Sequence, residues 1–225
     1  NKHQVTVIVT DPQKVPQKNI NVIVKNDLGD KATGKTDKNG EVTVPEVERT
    51  EHHSAYVVGY TDGTFGPERN MTRSEAAAIF ARLLADKNGD NISPVAKTKF
   101  SDVPAYAWYS GYVKYLNNNG VTYGHSKTIF APDEQITRAE FTTMAVRFFD
   151  VYGDGDAEIM EQFKSFDDVS DGYWAAEYIK AAAKHGWITG YGDGSFRADR
   201  QITRAEVMTI VNRLLGRAAD LEYVS

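Results

Sequence analysis

The sequence predicts an α+β protein, in which a small antiparallel β module precedes a mainly α-helical repeat domain. Within about the first 45 residues, apolar and polar side chains alternate in short segments, as they do in strands with one buried face. Further along, a five-residue motif recurs three times, and each copy opens an apolar stripe with helical spacing. We place the β module at residues 1–48 and the repeat domain at residues 49–225.

Three alternating segments define the predicted β module: Gln4–Thr10, Asn21–Lys25 and Glu41–Val44. Turn-forming clusters separate them, which favours a small antiparallel sandwich. The stretch Thr36–Val44 resembles the turn-and-strand signature of small immunoglobulin-like or carboxypeptidase-regulatory-like modules on bacterial surface proteins. So few residues bury only a marginal core. We therefore expect a truncated module, or one that borrows a strand.

The bulk composition excludes several classes of protein. The net charge of −5 argues against a non-specific nucleic-acid binder, and the absence of cysteine excludes disulfides and cysteine-based metal sites. No apolar run is long enough for a membrane span. No signal peptide is present, so a secreted form would be a mature or trimmed fragment. These features suit a surface-exposed protein as well as a cytosolic one.

Two stretches could suggest a metal, and we expect neither to bind one. His52 and His53 lie in a charged segment, Glu46–Ser54, which we interpret as a linker. Adjacent side chains on an extended chain point in opposite directions, so the two imidazoles would not converge. The acidic stretch from Asp86 resembles the start of a calcium loop but has Asn91 and Lys97 where such a loop requires Gly and Glu.

The repeated motif Thr-Arg-Ala/Ser-Glu has the form of a helix capping box. Its copies begin at Thr72, Thr137 and Thr203, which are 65 and 66 residues apart. A repeat of that length is one supersecondary unit used three times. The predicted capping pairs are Thr72 with Glu75, Thr137 with Glu140, and Thr203 with Glu206.

Capping does not explain the arginine of the motif, which is Arg73, Arg138 or Arg204. It occupies the first helical position, where the helix dipole disfavours a cation. It could hold a structural carboxylate, or it could hold a ligand anion beside free helix N–H groups. Another arginine follows nine residues later in each copy, and we expect it on a solvated or salt-bridging face: Arg82, Arg147 and Arg213.

A second half-unit occurs twice, from Phe100 to Gly120 and from Phe166 to Gly186. Each begins with Phe-x-Asp-Val, continues into an aromatic pair and a predicted helix, and ends at a glycine typical of a helix C-terminus. Its aspartates, Asp102 and Asp168, precede the helix, where a carboxylate is favourable. Its tryptophans, Trp108 and Trp174, are either core residues or surface rings on which a sugar could stack.

The whole pattern resembles the S-layer homology (SLH) repeat, over about Ala55–Gly216. The copies lie at about 55–90 (incomplete), 100–150 and 166–216. The resemblance implies a pseudo-threefold helical domain outside the cell, which anchors proteins non-covalently to anionic secondary cell wall polysaccharide, often bearing pyruvate ketals. It also implies ligand contacts in grooves between repeats, from Arg73, Arg138, Arg204, Asp102, Asp168, Trp108 and Trp174.

The first copy departs from this pattern because it lacks the Phe-x-Asp-Val segment and its helix. The missing helix would come from beyond Ser225, or the N-terminal segment would cover that face. We expect two complete grooves, one in which Arg73 faces Trp108 and one in which Arg138 faces Trp174. The groove that uses Arg204 is expected to be incomplete.

Two other functions compete with wall anchoring. A glycan hydrolase would need two carboxylates about 5–10 Å apart in a cleft, whereas the repeated glutamates here are accounted for by capping. Threefold recurrence also argues against a single active site. A protein–protein scaffold would bind peptide in the same grooves. We predict a non-catalytic module with no cofactor or metal, no nucleic-acid partner and no membrane insertion.

Overall fold

The computed structural model describes residues 4–8, 10–11, 14–25, 31–45, 56–153 and 165–216. The chain divides into two compact units, Asn1–His53 and Ser54–Ser225, and each is described by itself. The predictions for the linker at Glu46–Ser54, for His52 and His53, and for the chain after Gly216 lie outside the described residues.

The first unit contains two antiparallel strand pairs. Strand β1 (Gln4–Ile8) pairs with β4 (Glu41–Pro45), and β2 (Asn21–Lys25) pairs with β3 (Lys31–Lys35). The sequence did not predict β3, because its residues lack apolar alternation. The Asp37 carboxylate accepts hydrogen bonds from the N–H groups of Asn39 and Glu41, which fixes the turn before β4. The likeness to an immunoglobulin-like module stays a prediction.

The second unit is helical, so the α+β class is confirmed. Three long helices begin at the repeated motif, and two short helices follow the Phe-x-Asp-Val segments. The long helices are α1 (Arg73–Asn88), α3 (Arg138–Tyr152) and α5 (Arg204–Leu214), and the short helices are α2 (Ser110–Asn118) and α4 (Ala176–Lys184). No helix among the described residues is long and apolar enough to cross a membrane.

All three predicted capping boxes are confirmed. In α1, the Glu75 N–H donates to Thr72 Oγ1 at 3.2 Å, and the Thr72 N–H donates to Glu75 Oε2 at 2.8 Å. The boxes of α3 and α5 have the same two bonds. Since two otherwise unpaired donors are satisfied in each box, the motif fixes where each long helix begins.

The three copies close into a cycle through the buried apolar residue before each capping threonine. The N–H of Met71 donates to the Ile202 carbonyl at 3.1 Å, that of Ile202 to Ile136 at 3.1 Å, and that of Ile136 to Met71 at 2.9 Å. The first copy therefore contacts the last directly. This arrangement gives the domain its pseudo-threefold character.

Each short helix packs against the long helix of the preceding copy, α2 on α1 and α4 on α3. The long helices meet in one continuous core, where the Phe80 ring lies 5.2 Å from Phe141 and 4.9 Å from Phe148. Among the described residues, no short helix covers α5. Consistent with this, Thr209 on α5 is exposed, whereas the equivalent Thr143 on α3 is buried.

Candidate functional site: grooves between the repeats

The motif arginines are buried, with exposed fractions of 5%, 6% and 3% for Arg73, Arg138 and Arg204. Each donates its Nε–H to a phenylalanine carbonyl in the loop of the next copy around the cycle. These bonds join Arg73 to Phe130 at 2.8 Å, Arg138 to Phe196 at 2.9 Å, and Arg204 to Phe65 at 2.9 Å. The arginine left unexplained by capping therefore holds one copy to the next.

The same guanidinium groups approach the capping glutamate of that next copy. Arg73 lies 3.0 Å from Glu140, Arg138 lies 3.0 Å from Glu206, and Arg204 lies 3.9 Å from Glu75, as Nη1 to Oε1 distances. Each capping glutamate thus serves a helix start and an arginine at once. Of the two roles proposed for the arginine, the structural carboxylate is the one present.

Glu206 shows how strongly this environment favours the charged carboxylate. Burial opposes its ionisation, but hydrogen bonds from Thr203, Tyr191 and Arg200 and the charge of Arg138 favour the anion. Together they lower the pKa of Glu206 to about 2. The glutamate therefore stays ionised at neutral pH and keeps its pairing with Arg138.

The alternative in which free helix N–H groups lie beside the motif arginine is not the arrangement present. In α1, the N–H of Arg73 donates to the Glu134 carbonyl at 2.9 Å, and the N–H of Ser74 donates to Pro132 at 3.0 Å. The third N–H belongs to the capping box. The starts of α3 and α5 are satisfied in the same way. Because the neighbouring loop occupies these donors, the helix start offers no anion site.

One groove lies beside the second copy and has a volume of about 420 Å³. We call it the copy 2 groove and define it by Arg73, Tyr123, Arg147 and Trp174, which all line it. Tyr123 and Trp174 are exposed, whereas Arg73 is buried beneath them. The groove therefore combines aromatic walls with two guanidinium groups.

Two smaller grooves are related to it by the pseudo-threefold arrangement. The copy 1 groove, of about 140 Å³, is lined by Tyr60, Arg82, Trp108 and Arg204. The copy 3 groove, of about 160 Å³, is lined by Arg138, Trp187, Tyr191 and Arg213. Trp187 is buried, so among the described residues the copy 3 groove has no exposed tryptophan.

The predicted pairing of arginines with tryptophans is therefore wrong. Arg73 shares a groove with Trp174, and Arg204 shares one with Trp108. The groove without an exposed tryptophan uses Arg138, not Arg204. The physical reason is that residues from three copies form each groove. The long helix of one copy forms its floor, the copy before it supplies the motif arginine, and the copy after it supplies the tryptophan.

Trp108 and Trp174 are surface residues, exposed to 55% and 57%. Trp108 makes edge contacts with Tyr109 and Tyr112, and Trp174 lies 5.8 Å from Tyr173. Each ring is thus supported by neighbouring tyrosines while much of it faces solvent. The alternative that these tryptophans belong to the core is not what the structure shows.

Asp102 and Asp168 bind loop backbone and are not among the residues that line the grooves. Asp102 accepts hydrogen bonds from the N–H groups of Phe130 and Ala131, the closest at 2.7 Å. Asp168 accepts from those of Phe196 and Arg197 at 2.7 Å. Their carboxylates hold the loop that carries the phenylalanine carbonyl to the motif arginine.

The loop held by Asp102 has an unusual backbone. Ala131 has φ of 60°, a left-handed conformation that costs a residue with a Cβ roughly 1–2 kcal/mol. The first copy, which lacks the aspartate, has Gly66 at the equivalent position with the same φ of 60°. The second copy therefore stabilises the left-handed backbone with the Asp102 carboxylate, whereas the first copy has a glycine, which adopts this conformation without strain.

We expect Asp102→Ala to lower the free energy of unfolding by about 2 kcal/mol, because two partly buried N–H groups lose a charged acceptor. Adding Ala131→Gly should restore about 1 kcal/mol by removing the left-handed strain. Urea denaturation followed by circular dichroism measures both changes. Asp167→Ala is the matched control and should have little effect. Failure of the glycine to restore any stability would contradict this account.

Arg82, Arg147 and Arg213 have a position that the sequence did not predict, since a solvated or salt-bridging face was expected for them. All three line grooves. The signal was available in their strict recurrence nine residues after each motif arginine. Recurrence alone does not identify a groove residue, because a repeated cation on a helix is ordinarily a surface residue.

Comparison with known proteins agrees with the repeated architecture. The S-layer homology domain family matches residues 52–77, 99–142 and 165–208, half of the chain. Cell surface glycoprotein 1 and the cellulosome-anchoring protein of Acetivibrio thermocellus are 38% and 36% identical over 73% and 81% of this chain. The surface-layer 125 kDa protein of Lysinibacillus sphaericus is 31% identical over 71%.

This chain spans 7%, 40% and 13% of the lengths of those three relatives, so each shares only part of itself with it. The family matches fall on the same three copies, which are joined by the pairs between motif arginines and capping glutamates. The chain belongs to the S-layer homology domain family.

Proposed function

We propose that the repeat domain anchors a surface protein non-covalently to the bacterial cell wall. The ligand is an anionic secondary cell wall polysaccharide, in part pyruvylated, which binds in the copy 1 and copy 2 grooves. Membership of the family, and relatives named for surface layers and for anchoring, support an extracellular location at the cell wall or S-layer. They also support an anchoring role rather than catalysis.

The observation that carries the proposal is the pairing of a half-exposed tryptophan with an arginine outside the motif in one groove. In the copy 2 groove these are Trp174 and Arg147, which lie over the buried Arg73. An exposed aromatic face suits the apolar face of a sugar ring, and guanidinium groups suit a carboxylate. The copy 1 groove repeats the arrangement with Trp108, Arg204 and Arg82.

Two such grooves on one chain favour attachment to a polymer. When two sites bind the same repeating polysaccharide, the second contact becomes intramolecular, so avidity exceeds the affinity of either groove. Weak individual sites would then hold a protein on the wall. In this proposal Asp102 and Asp168 act indirectly, because they hold the loops into which the motif arginines bind.

The repeated glutamates give further support to binding over hydrolysis. Glu75, Glu140 and Glu206 each hold a capping box and approach a motif arginine. A general acid needs a raised pKa, whereas that of Glu206 is lowered to about 2. A peptide-binding scaffold remains the competing function.

Purified cell wall should retain this chain, and chemical removal of the anionic polysaccharide should release it. Co-sedimentation with wall fragments before and after the removal measures this. The variant with Trp108→Ala and Trp174→Ala is the matched control and should stay in solution in both cases. Equal retention on the stripped wall would contradict polysaccharide binding and favour a protein or peptidoglycan partner.

A further inference from the structure

We propose that Arg147 and Arg82, and not the motif arginines, bind the carboxylate of the ligand. This assignment rests on the proposed function and goes further, because it names the group in each groove that selects an acidic sugar. The repeated motif would then build the groove, and the arginine nine residues later would contact the ligand.

The motif arginine in the copy 2 groove already has its partners. Arg73 is 5% exposed, and its guanidinium binds the Phe130 carbonyl and the Glu140 carboxylate. Its charge is therefore neutralised within the protein. A ligand carboxylate would have to displace Glu140, which also caps α3. Displacement would break the capping box together with the ion pair, so this arginine is a poor anion receptor.

Arg147 has the opposite properties. Its Nε and Nη2 donate to the Tyr178 hydroxyl at 3.2 and 3.0 Å, and its guanidinium stacks on the rings of Tyr123 and Tyr178, 4.9 Å from each centroid. Among residues 56–153 and 165–216, no carboxylate oxygen lies within 4 Å of it. Within the described part of the chain, Arg147 is therefore a positioned cation with no carboxylate in direct contact, and Glu140, which also lines the groove, is paired with Arg73.

Arg82 repeats these features in the copy 1 groove. It donates through Nη1 to the Tyr56 carbonyl at 3.3 Å, and its guanidinium lies 5.0 Å from the centre of the Tyr112 ring. Again the described part of the chain supplies no carboxylate partner. Tyr112 and Tyr178 occupy equivalent positions on the two short helices. The half-unit that carries the groove tryptophan therefore also orients the arginine.

The third member of the set lacks this support. Arg213, in the copy 3 groove, is exposed and donates to the Trp187 carbonyl at 3.4 Å. Among the described residues, no tyrosine ring stacks on it, and the groove has no exposed tryptophan. Position and charge recur in all three copies of this chain, but contacts between described residues pre-orient the arginine in the first two copies and not in the third. Arg213 therefore serves as the internal control.

Two residues of the copy 2 groove, Trp174 and Arg147, suggest how a pyruvylated sugar would be selected. Trp174 and Arg147 line the same cavity of about 420 Å³. A sugar ring stacked on the tryptophan would leave its carboxylate free to reach the guanidinium. A planar guanidinium fixed by stacking matches a carboxylate with two parallel hydrogen bonds at little entropic cost.

Titration calorimetry with a pyruvylated wall disaccharide and with its neutral methyl ester tests the assignment. The unaltered chain should prefer the acid by about tenfold to a hundredfold, the range for a charge-assisted hydrogen bond. The double variant Arg82→Gln with Arg147→Gln should lose that preference while keeping its affinity for the ester. Arg213→Gln should bind both compounds as the unaltered chain does.

Arg147→Lys in the Arg82→Gln background adds a second measurement. Lysine keeps the charge but not the planar fork, so the preference for the acid should be intermediate. Melting temperatures confirm that each variant is folded. A double glutamine variant that still prefers the acid would overturn the assignment and leave the proposed function intact. Binding of neither compound by the unaltered chain would instead contradict the proposed function.

Discussion

Arg73→Gln is expected to lower the free energy of unfolding by about 3 kcal/mol, because it leaves a largely buried carboxylate without its partner. The variant would also deprive the Phe130 carbonyl of its donor. Glu140 is 21% exposed, so some water reaches the orphaned charge and keeps the loss from being larger. Urea denaturation monitored by far-ultraviolet circular dichroism measures the change.

Two controls separate this pairing from a general effect of removing arginine. Arg82→Gln should cost under about 1 kcal/mol, because Arg82 is partly exposed and has no described carboxylate partner. Adding Glu140→Gln to Arg73→Gln should recover part of the loss, since glutamine still completes a capping box and carries no charge. Strictly additive losses in the double variant would argue against a coupled pair.

Removal of the two groove tryptophans is expected to abolish measurable binding to the wall polysaccharide. Covering about 100 Å² of ring surface contributes about 2.5 kcal/mol at 25 cal/mol per Å², close to a hundredfold in affinity for each groove. Trp108→Ala or Trp174→Ala alone should halve the number of sites in calorimetry. Both variants should keep the melting temperature nearly unchanged, because these rings are more than half exposed.

Trp187→Ala provides the matched contrast. Trp187 is buried against His185 and Phe149, with ring centres 4.5 and 4.7 Å away. Its truncation should lower stability by about 3–5 kcal/mol, as for other buried aromatic residues. At temperatures where the variant is folded, its affinity should be unchanged. A fall in affinity without loss of stability would contradict the division between surface and core tryptophans.

Local physics explains what the sequence predicted correctly. The capping boxes involve residues three positions apart, so their hydrogen bonds follow from the helix start itself. The apolar stripe of each long helix likewise follows from helical periodicity. The two Phe-x-Asp-Val segments correctly predicted that a short helix follows each of them. In contrast, β3 escaped prediction because its pairing with β2 comes from tertiary context and not from alternation.

The grooves could not be predicted because their members meet across the cycle. Arg138 binds Glu206, which is 68 residues further along the chain. Arg204 binds the carbonyl of Phe65, which is 139 residues away. Sequence order suggested that each arginine faces the next tryptophan, whereas closure of the cycle shifts the partner by one copy. The same long-range pairing neutralises the motif arginines and leaves Arg82 and Arg147 with no described carboxylate partner.

The cyclic hydrogen bonds among Met71, Ile136 and Ile202 have a mechanical consequence. In an open array of repeats, the terminal repeat has one interface and therefore dissociates first when one end is pulled. Here the first and last copies are bonded to each other, so no copy is terminal. A pulling force on a surface protein must break two interfaces to release any one copy. We therefore expect the repeat domain to rupture in a single step under load.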